Sequence, residues 1–258
     1  MKAVAPLLRL AVLLRLAALA LLVGFIAAPG WFAPIFRPLT TNDAPAIYNQ
    51  GSFFSLTLAH LEIVFGAALA STIVAVLLGI FVTRPSGAEF LPLSRSLVNI
   101  GQTFPPVAVL AVAVPLVGFG AAPTLIALFL YGLLPIFENT LSGLTQVSPL
   151  TLDAAKGMGM SPRRRLFEVE LPLALPVILA GIRLSVVINL GTATIGSTVA
   201  AKGLGEVIIA GLQSNNVAFI LQGGLIVALL AILIHDGMMA AERNVSRRLG
   251  LKPAGVTT

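Results

Sequence analysis

Apolar residues run in long blocks along this chain, and polar residues gather in short islands between them. The blocks fall at about 8–28, 56–82, 97–118, 121–138, 173–200 and 217–241. A helix crossing the ~30 Å hydrocarbon core of a bilayer needs roughly 20 apolar residues, so each block predicts a spanning helix. From Ser96 to Phe137 no side chain is charged, yet this stretch is too long for one crossing. Gly118-Phe119-Gly120-Ala121-Ala122-Pro123 supplies the break and predicts a helical hairpin with a tight outer turn. Open sheet edges are not tolerated in hydrocarbon. The pattern therefore predicts an all-α integral membrane protein with six transmembrane helices.

The first block is interrupted by Arg9 and Arg15, and Leu16–Ala28 has the look of a signal-peptide core ending in small residues. The reading adopted is an uncleaved helix whose arginines snorkel to the surface. Pro29, Gly30, Pro34, Pro38, Asn42, Asp43 and Pro45 make 29–55 an outer loop, and 249–258 reads as a frayed tail. These boundaries give an N-terminal helix and outer loop over 1–51, a membrane domain over 52–241 and a C-terminal tail over 242–258.

The polar island at 148–172 has its own local grammar. Ser148-Pro149 places a capping residue before a proline at the first helical position, where a missing N–H costs nothing. The helix begun there carries Asp153, Ala154 and Ala155 until Gly157 and Gly159 stop it. Ser161-Pro162 starts another helix in the same way, and Glu168 stands at pairing distance from Arg164 or Arg165. Pro172 and Pro176 predict a kinked start to the fifth span. The shape is a stubby helix standing off the membrane, then a turn, then a return. Small side chains at Ala154 and Ala155 permit close approach by another surface, and Asp153 offers a charged contact. Taken singly, Ser-Pro and Gly also fit an ordinary capped loop with a basic patch.

Composition narrows the classes. The 258 residues are 57% hydrophobic and only 10% charged, with a mean hydropathy of +1.00, whereas soluble domains carry about 25% charged residues. The net charge of +6 has no soluble basic domain to sit on, so nucleic-acid binding is excluded. Instead the charge marks one membrane side. Lys2, Arg84, Arg95, Lys156, Arg163, Arg164, Arg165, Arg243, Arg247, Arg248 and Lys252 share a side, and Arg37 and Lys202 take the other. That bias puts both termini and the 139–172 loop in the cytoplasm. Cysteine is absent, which excludes thiol chemistry and thiolate metal sites. No Gly-Lys dipeptide occurs, so the phosphate-cradling loop of ATPases is missing. No cofactor, metal site or covalent catalysis is expected of this chain.

The spacing from Asp153 to Pro172 resembles the coupling loop of permease subunits of bacterial ABC importers. That signature is Glu-Ala-Ala, then Gly, then Ile-x-Leu-Pro; here Asp153-Ala154-Ala155, Gly159 and Val169-Glu170-Leu171-Pro172 stand at the same separations. From about 52 to 240 the chain is similar to the permeases of glycine betaine, choline and carnitine importers. Ile100–Pro105, Tyr131–Ile136, Lys156–Met160, Glu170–Pro176 and Asn189–Thr194 carry that likeness. Glu138 departs from it where arginine is frequent. Lys202 departs where glycine is usual, and a cation there disfavours cationic substrates. The resemblance implies a five-helix importer core plus the N-terminal helix, with a cytoplasmic coupling helix. It implies an ATPase subunit on the cytoplasmic side, a periplasmic or lipid-anchored solute-binding protein, a second permease copy or paralogue, and a multi-pass place in the bacterial inner membrane. Asp153, Ala154, Ala155, Met158, Gly159, Leu171 and Pro172 would then couple to the ATPase. The same fold could serve another small substrate, such as an amino acid or a sulfonate.

Other polar residues stay open. Arg183 sits mid-span, where a charge must face the bundle or water; it either lines the path or ties to a carbonyl or an acid such as Glu138. Gln102, Thr103, Asn189, Thr192 and Thr194 either line a weakly polar path or bond between helices. His60, Glu62 and Asp236 read as wet residues near the interfaces, with an ion-coupled secondary transporter as the competing reading. One tryptophan and two tyrosines are too few for an aromatic cage around a quaternary amine, which places specificity in the binding protein.

Overall fold

The structure, a computed structural model, describes residues 4–41 and 43–250, with side chains described at residue 10 and from residue 12 onward. Lys2, Asn42 and Lys252, the Arg9 side chain and the tail from 251 lie outside the described residues. Every regular element described is helical. The long elements are α1 (Val4–Ala27), α3 (Phe53–Val82), α6 (Ala121–Thr145), α9 (Leu171–Thr192) and α11 (Val217–Arg248). Between them lie α2 (Ala33–Phe36), α4 (Leu91–Thr103), α5 (Pro106–Val117), α7 (Pro149–Gly157), α8 (Pro162–Arg165) and α10 (Gly205–Gln213). Among the described residues four helices are long and apolar enough to cross a membrane, and two bent pairs raise the number to as many as six.

The spans depart from expectation in three places. The block at 97–118 is a pair of helices, α4 and α5, bent by 96°. Phe104 between them is extended (φ −89°, ψ 135°), because a residue before proline is pushed out of the helical region. The loop at 29–55 begins with helical turns over Pro29–Leu39, bent 111° from α1. The last helix also runs on to Arg248, taking in the first part of the expected tail. The predicted hairpin turn is present, with Gly118 and Gly120 in the positive-φ region that only glycine enters freely.

The chain divides into two compact units. One comprises Met1–Val64, Val109–Leu125 and Leu190–His235. Its centre is Phe25, fully buried, with the rings of Phe32, Phe36 and Phe53 at 5.0, 5.7 and 5.2 Å. Such tilted pairs add about 0.5–1.5 kcal/mol each beyond area burial. The proline-rich loop is held by side-chain amides in place of secondary structure. Buried Gln222 accepts from the Tyr48 N–H (3.0 Å) and donates to the Ala46 carbonyl (2.7 Å). Asn216 donates to the Pro45 carbonyl and caps α11 through the Ala218 N–H. Burial, then the Glu206 carboxylate, push the Tyr48 phenol above its ordinary value, so it stays neutral.

The other unit comprises Phe65–Ala108, Ile126–Asn189 and Asp236–Thr258. Its core joins Ala75 and Val82 of α3, Val98 of α4, and Leu133, Ile136, Phe137 and Leu141 of α6. Small residues let the backbones close up, as in lipid where packing replaces the hydrophobic drive. Gly181 of α9 meets α6 so tightly that a Cβ there would lie 2.6 Å from Asn139 Cβ and 2.7 Å from the Pro135 carbonyl.

Candidate functional site

α7 is short and two-faced. Pro149 takes its first position, and Ser148 makes no side-chain cap bond, so the proline alone sets the start. At the other end the Gly159 N–H donates to the Lys156 carbonyl (2.9 Å), and the Met160 N–H donates to the Ala155 carbonyl (3.1 Å). These are the paired bonds of a Schellman close, and Gly159 supplies its left-handed residue at φ +75°. Ala155 is buried, whereas Leu150 is 81% and Met158 72% exposed; Asp153 and Ala154 are exposed as well. Residues 150, 154 and 158 are spaced four apart, so they stack on one side of the helix. The result is an exposed apolar stripe flanked by a carboxylate. Asp153 is itself paired with Lys156 at 2.9 Å.

The region behind that stripe is charged. A cleft of about 400 Å³ is lined by Thr83, Arg84, Leu152, Lys156, Arg165 and Glu170, among others. In α8 the Ser161 hydroxyl accepts from the Arg164 N–H, as its place before Pro162 predicts. Arg164 pairs with Glu168 at 2.9 Å. Glu170, nearly buried, pairs with Arg84 at the end of α3 and with Arg165.

Leu171 and Pro172 are placed elsewhere. Both are half-buried at the start of α9 and, with Phe167 and Leu175, line an apolar groove. They do not join the exposed stripe.

The polar residues of the spans find local partners. Gln102 Nε2 donates to the Tyr131 carbonyl (2.9 Å), and the Tyr131 hydroxyl donates to the Phe104 carbonyl, clasping the frayed end of α4 to α6. Thr103 bonds back to the Asn99 carbonyl and Thr194 to the Gly191 carbonyl. Thr192 is half-buried. Asn189 is fully buried and donates to the Leu128 carbonyl (3.1 Å), while its Oδ1 has no hydrogen-bond partner. Arg183 pairs with Glu242 of α11 at 3.3 Å, because α11 continues past the expected end, and Glu138 pairs with Arg95. His60 is not wet: it is buried, with Nε2 3.0 Å from the Leu190 carbonyl. A carbonyl only accepts, so Nε2 carries the proton. Glu62 is exposed and Asp236 half-buried.

Residues 75–250 match the family described as binding-protein-dependent transport system inner membrane component. This chain belongs to that family. It is therefore a multi-pass membrane component of a transport system, as the Asp153–Pro172 spacing implied. Among its relatives is the choline transport system permease protein OpuBB of Bacillus subtilis (strain 168), 40% identical over 209 residues, covering 81% of this chain and 92% of the relative. Another is the osmoprotectant import permease protein OsmY of Salmonella typhimurium, 39% identical over 187 residues, 72% of this chain and 79% of the relative. The glycine betaine/carnitine/choline permease OpuCB of B. subtilis is 39% identical over 209 residues, covering 81% of this chain and 92% of the relative. The fold is shared with inward-facing structures of the MetNI methionine ABC transporter. One aligns with a TM-score of 0.67 at 20% identity, covering 77% of this chain and 99% of that one.

Sequence reasoning missed Leu150 and Glu170. Leu150 was visible as the residue four before Ala154 and eight before Met158. Glu170 carried no signal, since its partner Arg84 lies 86 positions away.

Proposed function

We propose that this chain is the permease subunit of an ATP-driven ABC importer that moves a quaternary-amine osmoprotectant such as glycine betaine, choline or carnitine. A periplasmic or lipid-anchored binding protein delivers the solute, and an ATPase docks on α7 from the cytoplasm. The exposed stripe of Leu150, Ala154 and Met158 carries this reading. An apolar row on the exposed side of a short helix, with a left-handed glycine fixing its end, is a surface waiting for a groove. The arginines around α7 and α8 support a cytoplasmic position for it, with both termini on the same side.

By this reading two permeases pair, as copies or paralogues, so that two α7 helices meet an ATPase dimer. Closure of that dimer on ATP draws the two helices together and opens the bundle outward; hydrolysis resets it. The chain itself performs no covalent step. Relatives named for choline, glycine betaine and carnitine support the substrate class. Gln102 and Thr103, exposed beside the break between α4 and α5, are the leading lining residues. Thr192, Thr194 and Asn189 remain candidates for the path, and Arg183 serves as a tie between α9 and α11. Radiolabelled betaine and choline uptake, with and without the gene, tests the proposal in a strain lacking other importers. Gene-dependent uptake is the expected result. Equal uptake in both strains overturns the substrate.

A further inference from the structure

Between α8 and α9 the backbone makes a π turn over Leu166–Glu170, and the Leu171 N–H donates to the Leu166 carbonyl five residues back. Single π turns within helices often sit at functional points. This one lies directly before Pro172, which has no N–H to donate and whose ring crowds the preceding turn. Backbone register is therefore weakly held where the α7–α8 segment joins the membrane helix.

The turn decides which side chains meet. In an α-helix, residues five apart point about 140° away from each other. The wider turn brings Arg165 and Glu170 to one side, with Nε and Oε1 3.2 Å apart. The other oxygen, Oε2, accepts from Arg84 at the end of α3. Glu170 is 6% exposed at the side chain, against 18% for Arg165 and 25% for Arg84. Arg84 Nε has no hydrogen-bond partner, so its charge leans on Glu170 and on Thr83, 3.2 Å away. Removing one member of such a buried group strands the others. One carboxylate thus joins two elements, the end of a membrane helix and the segment that follows α7, across the π turn.

We infer that Glu170 is a positioning residue, the clasp that carries displacement of α7 into α3. This rests on α7 being the helix the ATPase holds. When the ATPase pulls α7, the shielded pairs with Arg165 and Arg84 pass the pull to α3 across a joint whose backbone register is otherwise weakly held. Without the carboxylate the ATPase still docks on Leu150, Ala154 and Met158, yet its stroke does not reach α3.

The test uses the full permease, its ATPase and its binding protein in proteoliposomes. It measures solute moved per ATP hydrolysed, together with ATPase retained on tagged permease. Glu170→Gln is expected to retain the ATPase and hydrolyse ATP while solute per ATP falls about tenfold, in the range of coupling losses between linked sites. Arg165→Gln keeps the Arg84 pair and should lose a smaller factor. Glu89→Gln, an exposed carboxylate away from the clasp, should match wild type. If Glu170→Gln does not fold, Arg165→Gln and the double variant Arg84→Gln/Glu170→Gln decide, and an unchanged ratio in both overturns the inference. A wild-type ratio in Glu170→Gln, or uptake and hydrolysis falling together with ATPase retention, overturns the clasp alone. Failure of the wild-type chain to retain any ATPase overturns the docking reading and the clasp with it.

Discussion

Gly159 offers a clean separation of backbone geometry from surface contact. Its φ of +75° lies in the left-handed region, yet a Cβ built on it would meet nothing within 4 Å. Substitution there is opposed by conformation alone within this chain. For an L-residue the left-handed conformation costs about 1–2 kcal/mol, which lowers the population of the correct turn by roughly 5–30-fold. A β-branched residue sits at the high end, and asparagine, which tolerates this region, at the low end. Gly159→Val should therefore cut ATPase capture and uptake by about an order of magnitude, while Gly159→Asn stays within about twofold of wild type. Gly157, two residues earlier and the last residue of the helix, also has open space, but its backbone is helical. Gly157→Ala should stabilise α7 by up to about 1 kcal/mol and leave capture intact. The assay is co-purification of the ATPase with tagged permease, normalised to membrane expression, beside whole-cell uptake. If valine and asparagine at 159 prove equally harmful, bulk at a contact surface is responsible. If both are harmless, the closing turn has no role in docking.

Other expected outcomes follow from the packing. Phe25→Ala empties the centre of an aromatic cluster and should cost about 3–5 kcal/mol, read as a lowered melting temperature in detergent. Gly181→Ala drives a methyl into Asn139 and the Pro135 carbonyl and should cost about 1–3 kcal/mol; Gly191→Ala, with open space around it, should be neutral in the same assay. Gln222→Leu strands the Tyr48 N–H and the Ala46 carbonyl, each costing about 1–3 kcal/mol when buried. Faster hydrogen exchange at Ala46–Tyr48 should report it, with α7 unaffected.

Apolar run lengths made the helical class legible, because lipid forces every backbone bond inside its own segment. The knuckle at 148–172 was legible for a different reason: Ser-Pro starts and Gly stops are local, and α7 and α8 depend on neighbours within a few residues. What escaped was non-local. Pro105-Pro106 marks a break at residue 104, but nothing nearby sets its angle at 96° rather than a shallow kink. Arg183 was left open between lining the path and a tie to a carbonyl or an acid such as Glu138; it pairs with Glu242, on a helix whose end was placed too early. His60 was read as wet because it lies close to the outer end of the second span; the Leu190 carbonyl it meets lies 130 positions away. Gln222 and Asn216 escaped for the same reason: a side-chain amide holding a distant loop leaves no periodicity.

With no native cysteine, a single cysteine placed on α7 is the only thiol in the chain. Crosslinking from Leu150→Cys, Ala154→Cys, Met158→Cys and Ala155→Cys to the ATPase in native membranes tests the docking face directly. Capture at 150, 154 and 158 with none at buried 155 is the result this account predicts. No capture at the stripe, or equal capture at all four positions, contradicts it.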